Sequence, residues 1–334
     1  MIKYAIRRTL QAIPLLLIIS LILFGILQLQ PEHPWDLLLH RPNLSNEAKQ
    51  HILAYYGFDK PWWYQYGLWM WNLAHLDLGT SYFSHESTLN LIFKEHRFQN
   101  TVILMGTAYI LTLVIAIPIG IISAVKQYSR FDNIVTGAAF LGFSLPNFWF
   151  GLMLIIAFAV FPYEHFHGFK IFPTSGMSSY IGTGTGFGLI IQNPLDLAWH
   201  LVLPSIVLAV QFIAAYSRFI RGAMLEVLNQ DYIRTARAKG LGERSVVIRH
   251  AFRNALLPLI TLMGLDIPRL FVGALVTEQV FAWPGMGRLF WESAQRVDYQ
   301  VLMGILIMLA VLVVLGNLIA DLAYGWADPR IQYR

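Results

Sequence analysis

Asp266 and Arg269 stand three residues apart, one helical turn, on either side of Pro268 within an otherwise apolar stretch. Charge in such surroundings is costly and faces either a polar cavity or a partner. The pair therefore lines a path for charged solutes or forms a structural ion pair at a subunit interface, and Asp266 alone could serve as a proton relay. Further along, Glu278 precedes Pro284-Gly285-Met-Gly287, which reads either as an outer gate touched by another protein or as a capped turn. Ser144, Pro146 and Asn147 make an earlier polar break. The proline removes a backbone donor there, so the break leaves a carbonyl facing a cavity or is a plain kink.

Other patterns carry less. His165-Phe-His167 has a ligand-like look, but no acidic or further histidine partner stands at metal-ligand spacing. Gly182-Thr-Gly-Thr-Gly-Phe-Gly188 follows no strand and precedes no lysine, so it reads as a loop and not a phosphate cradle. Asn43-Leu-Ser45 matches a glycosylation sequon. There is no GxxxxGK[ST] motif, so any ATP chemistry has to come from a partner chain. With no cysteine, thiolate metal sites, a cysteine nucleophile and a disulfide scaffold are excluded.

The elements that must position these residues are membrane spans. Of 334 residues 56% are hydrophobic and 13% charged, against about 25% charged in a soluble domain. A helix needs about 20 apolar residues to cross a hydrocarbon core, and six runs qualify: 9–29, 101–125, 134–161 with a kink at Pro146, 199–216, 256–281 and 301–324. The first follows Lys3, Arg7 and Arg8 but is longer than a signal-peptide core and lacks a small-residue cleavage site before Pro31, so it reads as an anchor. With the amino terminus inside, residues 1–8, 126–133, 217–255 and 325–334 are cytoplasmic and hold 15 of the 24 lysines and arginines. Basic residues mark the inner face, so both termini are expected in the cytoplasm. The net charge of +5 thus reflects topology and not a nucleic-acid partner.

Two segments between spans are large. Residues 30–98 are expected to form an extracytoplasmic subdomain against the membrane surface, rich in tryptophan and tyrosine, with a helix starting at a cap on Asn46 and stopping at Gly57. The cytoplasmic loop 217–255 reads as helix, Gly240-Leu-Gly242, helix. In it Asp231 and Tyr232 precede a run in which the small residues Thr235, Ala236 and Ala238 alternate with Arg234, Arg237 and Lys239, ending at Gly240 and Leu241. Such a helix can enter a groove on another protein. The same charges would also suit a solvated loop held to anionic headgroups.

The wording of this loop carries a resemblance. Tyr232-Ile-Arg-Thr-Ala-Arg-Ala-Lys-Gly240-Leu and Arg249-His-Ala-Phe-Arg-Asn-Ala-Leu-Leu-Pro258 resemble the EAA loop of binding-protein-dependent ABC importer permeases, B-type subunits of the dipeptide, oligopeptide and nickel group. Further likeness runs in the same order along the chain: Tyr56-Gly-Phe-Asp-Lys-Pro61, Asp77-Leu-Gly-Thr-Ser81, Leu141-Gly-Phe-Ser-Leu-Pro146-Asn-Phe-Trp, Thr277-Glu-Gln-Val-Phe-Ala-Trp-Pro-Gly-Met-Gly287 and Asp328-Pro-Arg330. The resemblance implies an all-α polytopic protein of the type I importer permease fold, six spans with both ends inside and a permease core over 95–324. It also implies a non-catalytic pore half in a prokaryotic inner membrane. Its partners would be a second permease, two cytoplasmic ATPases that bind ATP and magnesium, and an external substrate-binding protein. Peptides are the expected cargo, with nickel or a sugar oligomer as alternatives. Residues 231–241 would be the helix coupled to the ATPase, although Arg234 stands where the wider motif has its namesake glutamate.

Overall fold

Long uncharged runs become long helices because hydrocarbon leaves a backbone no other way to satisfy its polar groups. The computed structural model describes residues 2–29, 45–57, 59–179, 188, 192–266 and 269–327. The helices are α1 (Ile2–Gln28), α2 (Asn46–Tyr56), α3 (Trp62–Ala74), α4 (Arg97–Val125), α5 (Arg130–Ser144), α6 (Asn147–Ile155), α7 (Phe161–His165), α8 (Pro194–Leu228) and α9 (Asp231–Ala238). They are followed by α10 (Arg253–Asp266), α11 (Arg269–Val272), α12 (Leu275–Val280), α13 (Met286–Gln295) and α14 (Tyr299–Ala327). Wide π-type turns precede α4 (Asn90–Lys94), join α6 to α7 (Ile156–Val160) and, after a single helical turn at Glu243–Ser245, lead into α10 (Val246–Phe252). A single antiparallel bridge, Thr80 to Ser87, is the extended pairing among the described residues.

Among the described residues, five helices are long and apolar enough to cross a membrane: Thr9–Gln28, Arg97–Val125, Asn147–His165, Pro194–Leu228 and Tyr299–Ile319. A sixth crossing exists if Glu243–Leu256 and Pro258–Asp266, bent by 49°, count as one. The chain is thus an all-α polytopic membrane protein, but its helices depart from the expected runs in three places. The stretch 134–161 is not one kinked helix. It breaks between α5 and α6 because Pro146 cannot donate and drives Leu145 to an extended conformation, φ −77° and ψ 126°. The stretch 256–281 is divided among α10, α11 and α12, with Gly273 in left-handed backbone at φ +85°. The fourth run extends well past 216: α8 has 35 residues, roughly 52 Å at 1.5 Å per residue, so the helix expected at the start of the cytoplasmic segment is continuous with the span through Leu228. Arg218 and Arg221 mark the end of the apolar run without ending the helix.

α8 is the central element, with 56% of its apolar window buried, against 11% for that of α1. Small residues let its neighbours approach. A Cβ on Gly120 of α4 would lie 2.7 Å from Ile220 Cβ and 2.9 Å from the Ser217 carbonyl oxygen, and one on Gly142 of α5 would lie 2.8 Å from Val210. The core around this crossing runs from Tyr109 and Ala116 on α4 through Tyr216, Ile220 and Met224 on α8 to Val246, Ala251 and Leu259, and takes in Ile233 and Ala236 of α9.

The segment after α1 has two parts. Helix α2 is capped by Ser45, whose Oγ accepts from Ala48 N at 3.2 Å, one residue earlier than the expected Asn46. Gly57 closes it in left-handed backbone, φ 69°. Leu78, Leu91 and Ile92 share a core with Met286 and Leu289 of α13 and Val301 and Ile305 of α14. This half of the segment is therefore built into the helical core. Ser81 Oγ donates to buried Asp298, whose other oxygen accepts from Tyr82 N at 3.4 Å. Residues 30–44, which include Pro31 and the Asn43 of the sequon, lie outside the described residues. So do most of the glycine-rich stretch at 182–188, Pro268 and the tail from Asp328.

Candidate functional site

Helix α9 is short, and its ends explain it. Gln230 is extended (φ −76°, ψ 148°), Asp231 lies in the first turn and Arg237 in the last, each sign favourable to the helix dipole. At the other end Gly240 adopts φ +81°. Its N–H donates to the Arg237 carbonyl at 2.9 Å and that of Leu241 to Ala236 at 3.4 Å, the paired bonds of a Schellman cap. Arg237 then reaches across the turn to Glu243 with two bonds of 3.2 and 2.7 Å. This partner raises the guanidinium's pKa and holds the Glu243 carboxyl below its usual range.

The helix has two unlike faces. Ile233 is fully buried and Ala236 nearly so, both in the core cluster shared by α4, α8 and α10. Ala236 thus faces inward, so the small residues do not all lie on one exposed side. Asp231, Tyr232, Arg234, Thr235, Arg237, Ala238, Lys239, Gly240 and Leu241 are exposed. Arg234 sits 3.6 Å from Asp231, and Thr235 Oγ1 donates back to the Asp231 carbonyl at 3.0 Å. The outer face therefore offers an aromatic ring, an aliphatic side chain at Leu241 and a set of basic groups, on a helix rooted in the cores of the spans.

A second polar cluster braces the neighbouring helix ends. Arg221 of α8 grips Asp132 of α5 through Nε and Nη2, both at 2.8 Å. Ser123 of α4 donates to the same carboxylate and Tyr128 N adds a bond of 2.8 Å. The guanidinium beside it, then the Ser123 and Tyr128 bonds, hold the Asp132 carboxyl well below the usual carboxylate range despite burial. Three helices meet on one carboxylate. Sequence reading missed this cluster; the signal present was an acidic residue, Asp132, three positions after a capping serine in a short basic loop.

Deeper in the bundle Asp266, at the end of α10, is buried and accepts from Tyr216 of α8 at 2.7 Å; the Tyr216 hydroxyl is in turn 2.7 Å from that of Tyr109 on α4. The Arg269 side chain lies outside the described residues, and with it the expected pairing to Asp266. Ser144 Oγ donates to the Phe140 carbonyl at 2.9 Å, and Asn147 opens α6 half-buried. The Leu145 carbonyl at that break accepts from Gln211 of α8 at 3.3 Å. The break and Asp266 are thus both tied to α8, through Gln211 and Tyr216.

Glu278 is fully buried. One carboxylate oxygen accepts from Thr101 Oγ1 at 2.9 Å and Ala274 N at 3.3 Å, the other from Arg288 N at 3.0 Å. Gly285 and Gly287 leave room for it: a Cβ on Gly285 would lie 2.4 Å from Glu278 Oε2, and one on Gly287 2.6 Å from Leu275 Cα. The Pro284 carbonyl accepts from Asn100 Nδ2 at 2.7 Å, and Trp283 Nε1 donates to Asn100 O at 2.9 Å. The segment α12–Gly287 is therefore knotted to the start of α4, and the carboxylate is turned inward. Among the described residues no group of three or more histidine, aspartate or glutamate side chains could hold a metal. His165 instead stacks on Phe161 at 4.1 Å.

Comparison with known proteins places these features. Residues 116–333 match the family described as binding-protein-dependent transport system inner membrane component, and residues 1–105 match the N-terminal region of the same transport-system membrane components. The chain is 43% identical over 333 residues to the oligopeptide transport system permease protein AppB of Bacillus subtilis, covering 100% of both chains. It is 38% identical over 349 residues to the dipeptide transport system permease protein DppB of Escherichia coli K12, again covering 100% of both. A putative peptide transport system permease of Brucella abortus is 36% identical over 328 residues, 98% of each chain. With α9, the α5–α6 break and the Glu278 knot all carried within the matched region, the chain belongs to the inner membrane permease family of binding-protein-dependent transport systems.

Proposed function

We propose that this chain is one half of the translocation pathway of an ATP-driven importer, that peptides are its cargo, and that α9 receives the motion of a cytoplasmic ATPase. The observation that carries the reading is the division of α9. Ile233 and Ala236 are sunk in the same core as α4, α8 and α10, while Tyr232, Arg234, Thr235, Lys239 and Leu241 stay free for a partner. A force on the outer face is passed to the spans through packed side chains, since close-packed cores transmit displacement. Peptide as cargo is supported by the full-length likeness to oligopeptide and dipeptide permeases, and no comparison favours nickel, a sugar oligomer or proton coupling through Asp266.

In this reading the assembly holds a second, homologous permease, two ATPase subunits that bind ATP and magnesium, and an external binding protein that releases its peptide into the opened pore. ATP-driven closure of the ATPases shifts the permease pair between inward- and outward-open states. Asp132 and Arg221 make the ends of α4, α5 and α8 move as one body. Ser144, Asn147, Asp266 and Arg269 are the residues proposed to border the path, and Glu278 with Pro284, Gly285 and Gly287 is proposed to fix its outer end. The test is uptake of labelled peptide by proteoliposomes holding the chain with its co-expressed partners. Uptake is expected only with ATP inside and the binding protein outside, and uptake by this chain alone without ATP would overturn the reading.

A further inference from the structure

Helix α3 contains no charged residue from Trp62 to Ala74. One side is packed: Tyr66 and Trp69 lie against Phe24 of α1, ring centroids 5.4 and 6.0 Å apart. Trp69 and Leu73 also border the core shared with α13 and α14. The opposite side is a stripe at helical spacing, Trp63, Tyr64, Leu68 and Trp71, with exposures of 63, 53, 37 and 65%. Polar groups flank the helix at both ends, Asp59 and Lys60 before it and His75 and Asp77 after it.

α1 gauges the depth at which this stripe sits. Its apolar span, Thr9–Gln28, has a mean hydropathy of 2.6. Gln28 Nε2 donates to Gln65 Oε1 at 3.1 Å at the end of that span, whereas Ser20 Oγ is 2.9 Å from the Tyr66 hydroxyl. Ser20 lies eight residues inward from Gln28, roughly 12 Å at 1.5 Å per residue, in a layer about 30 Å thick. Leu17 and Leu21, which helical spacing puts on or beside the Ser20–Phe24–Gln28 side of α1 that holds α3, are themselves exposed. The bare face of α3 therefore adjoins a surface that faces acyl chains, at a level below the end of the span.

We propose that α3 is a membrane-inserted interfacial helix whose Trp63, Tyr64, Leu68 and Trp71 face is covered by phospholipid at the headgroup–acyl boundary. Rings with an apolar body and a polar edge favour that boundary, and an uncharged helix lying in it is held by the apolar area it buries. α3 then anchors the segment after α1 at a fixed depth and leaves the rest of that segment to meet water-borne partners.

The chain has no cysteine, so single cysteines report without background. Trp63→Cys, Leu68→Cys and Trp71→Cys, with Glu86→Cys in an exposed loop as the control, would carry an environment-sensitive fluorophore on the full chain in vesicles of brominated or ordinary phosphatidylcholine. At the α3 positions emission should be blue-shifted and fall about twofold or more in brominated lipid, with little quenching by aqueous iodide. The control should behave in the opposite way. Leu68→Cys keeps the test open if a tryptophan variant does not fold. Iodide quenching at the level of the control would overturn the proposal. So would protection from both quenchers, which would place a protein partner on this face.

Discussion

At the scale of single residues, the charges that matter are those with three or more partners. Glu278 is fully buried and accepts from two backbone N–H groups and the Thr101 hydroxyl. Glu278→Gln keeps the shape but turns an amide N–H₂ toward a donor, which costs about 1–3 kcal/mol. Glu278→Ala strands every donor and opens a cavity, so its thermal midpoint in detergent should fall further than that of the glutamine variant. Should both variants keep their midpoints while losing uptake, Glu278 acts as a gate and not as a brace. Asp132 makes a prediction in pH. Its folded pKa is lowered, chiefly by Arg221, so its contribution to stability is complete above the ordinary carboxylate value of about 4. That contribution is lost as pH falls through the depressed folded value. Between pH 5 and 8 the cluster should add no slope to stability. Arg221→Ala, which leaves a buried carboxylate uncompensated, should cost about 3 kcal/mol, read as a lower unfolding midpoint at pH 7.

At the scale of elements, α9 separates docking from folding. Thr235→Trp or Lys239→Glu changes only the exposed face and should lower ATP-dependent uptake and co-purification of the ATPase while leaving the stability, followed by thermal unfolding, within about 0.5 kcal/mol of the parent. Ala236→Trp, directed into the core beside Ile233, should instead destabilise by about 1–3 kcal/mol through overpacking. If the two kinds of variant cannot be told apart by stability, the division of the helix is wrong. The sequence made α9 legible because its boundaries are local: Asp231 in the first turn, Gly240 at the stop and a distinctive run between them. The broken stretches were harder to read. Hydropathy over 134–161 and 256–281 registers apolar length but not backbone continuity: Pro146 signals a kink and a break alike, and it is contacts from distant residues that hold the broken ends. Gln211 takes the Leu145 carbonyl, and Thr101 and Asn100 hold the segment that follows Gly273. The Asp132–Arg221 clamp was hidden for the same reason, since 89 positions separate the partners.

At the scale of the whole molecule, the location of α9 relative to the membrane decides whether an ATPase can reach it. The charge pattern argues for the cytoplasm. The segments 1–8, 126–133, 217–255 and 325–334 hold 15 basic residues, while the short segments 162–198 and 282–300 on the opposite side hold three: Lys170, Arg288 and Arg296. Short loops are the ones whose charge governs insertion. The cysteine-free chain allows a direct reading with a membrane-impermeant maleimide on intact cells. Lys239→Cys, on the free face of α9, should react only after permeabilisation, and Glu86→Cys should react without it. The reverse pattern would put α9 outside, where no ATP is hydrolysed, and the proposed route of force from ATPase to Ile233 and Ala236 would fail together with the inward orientation of both termini.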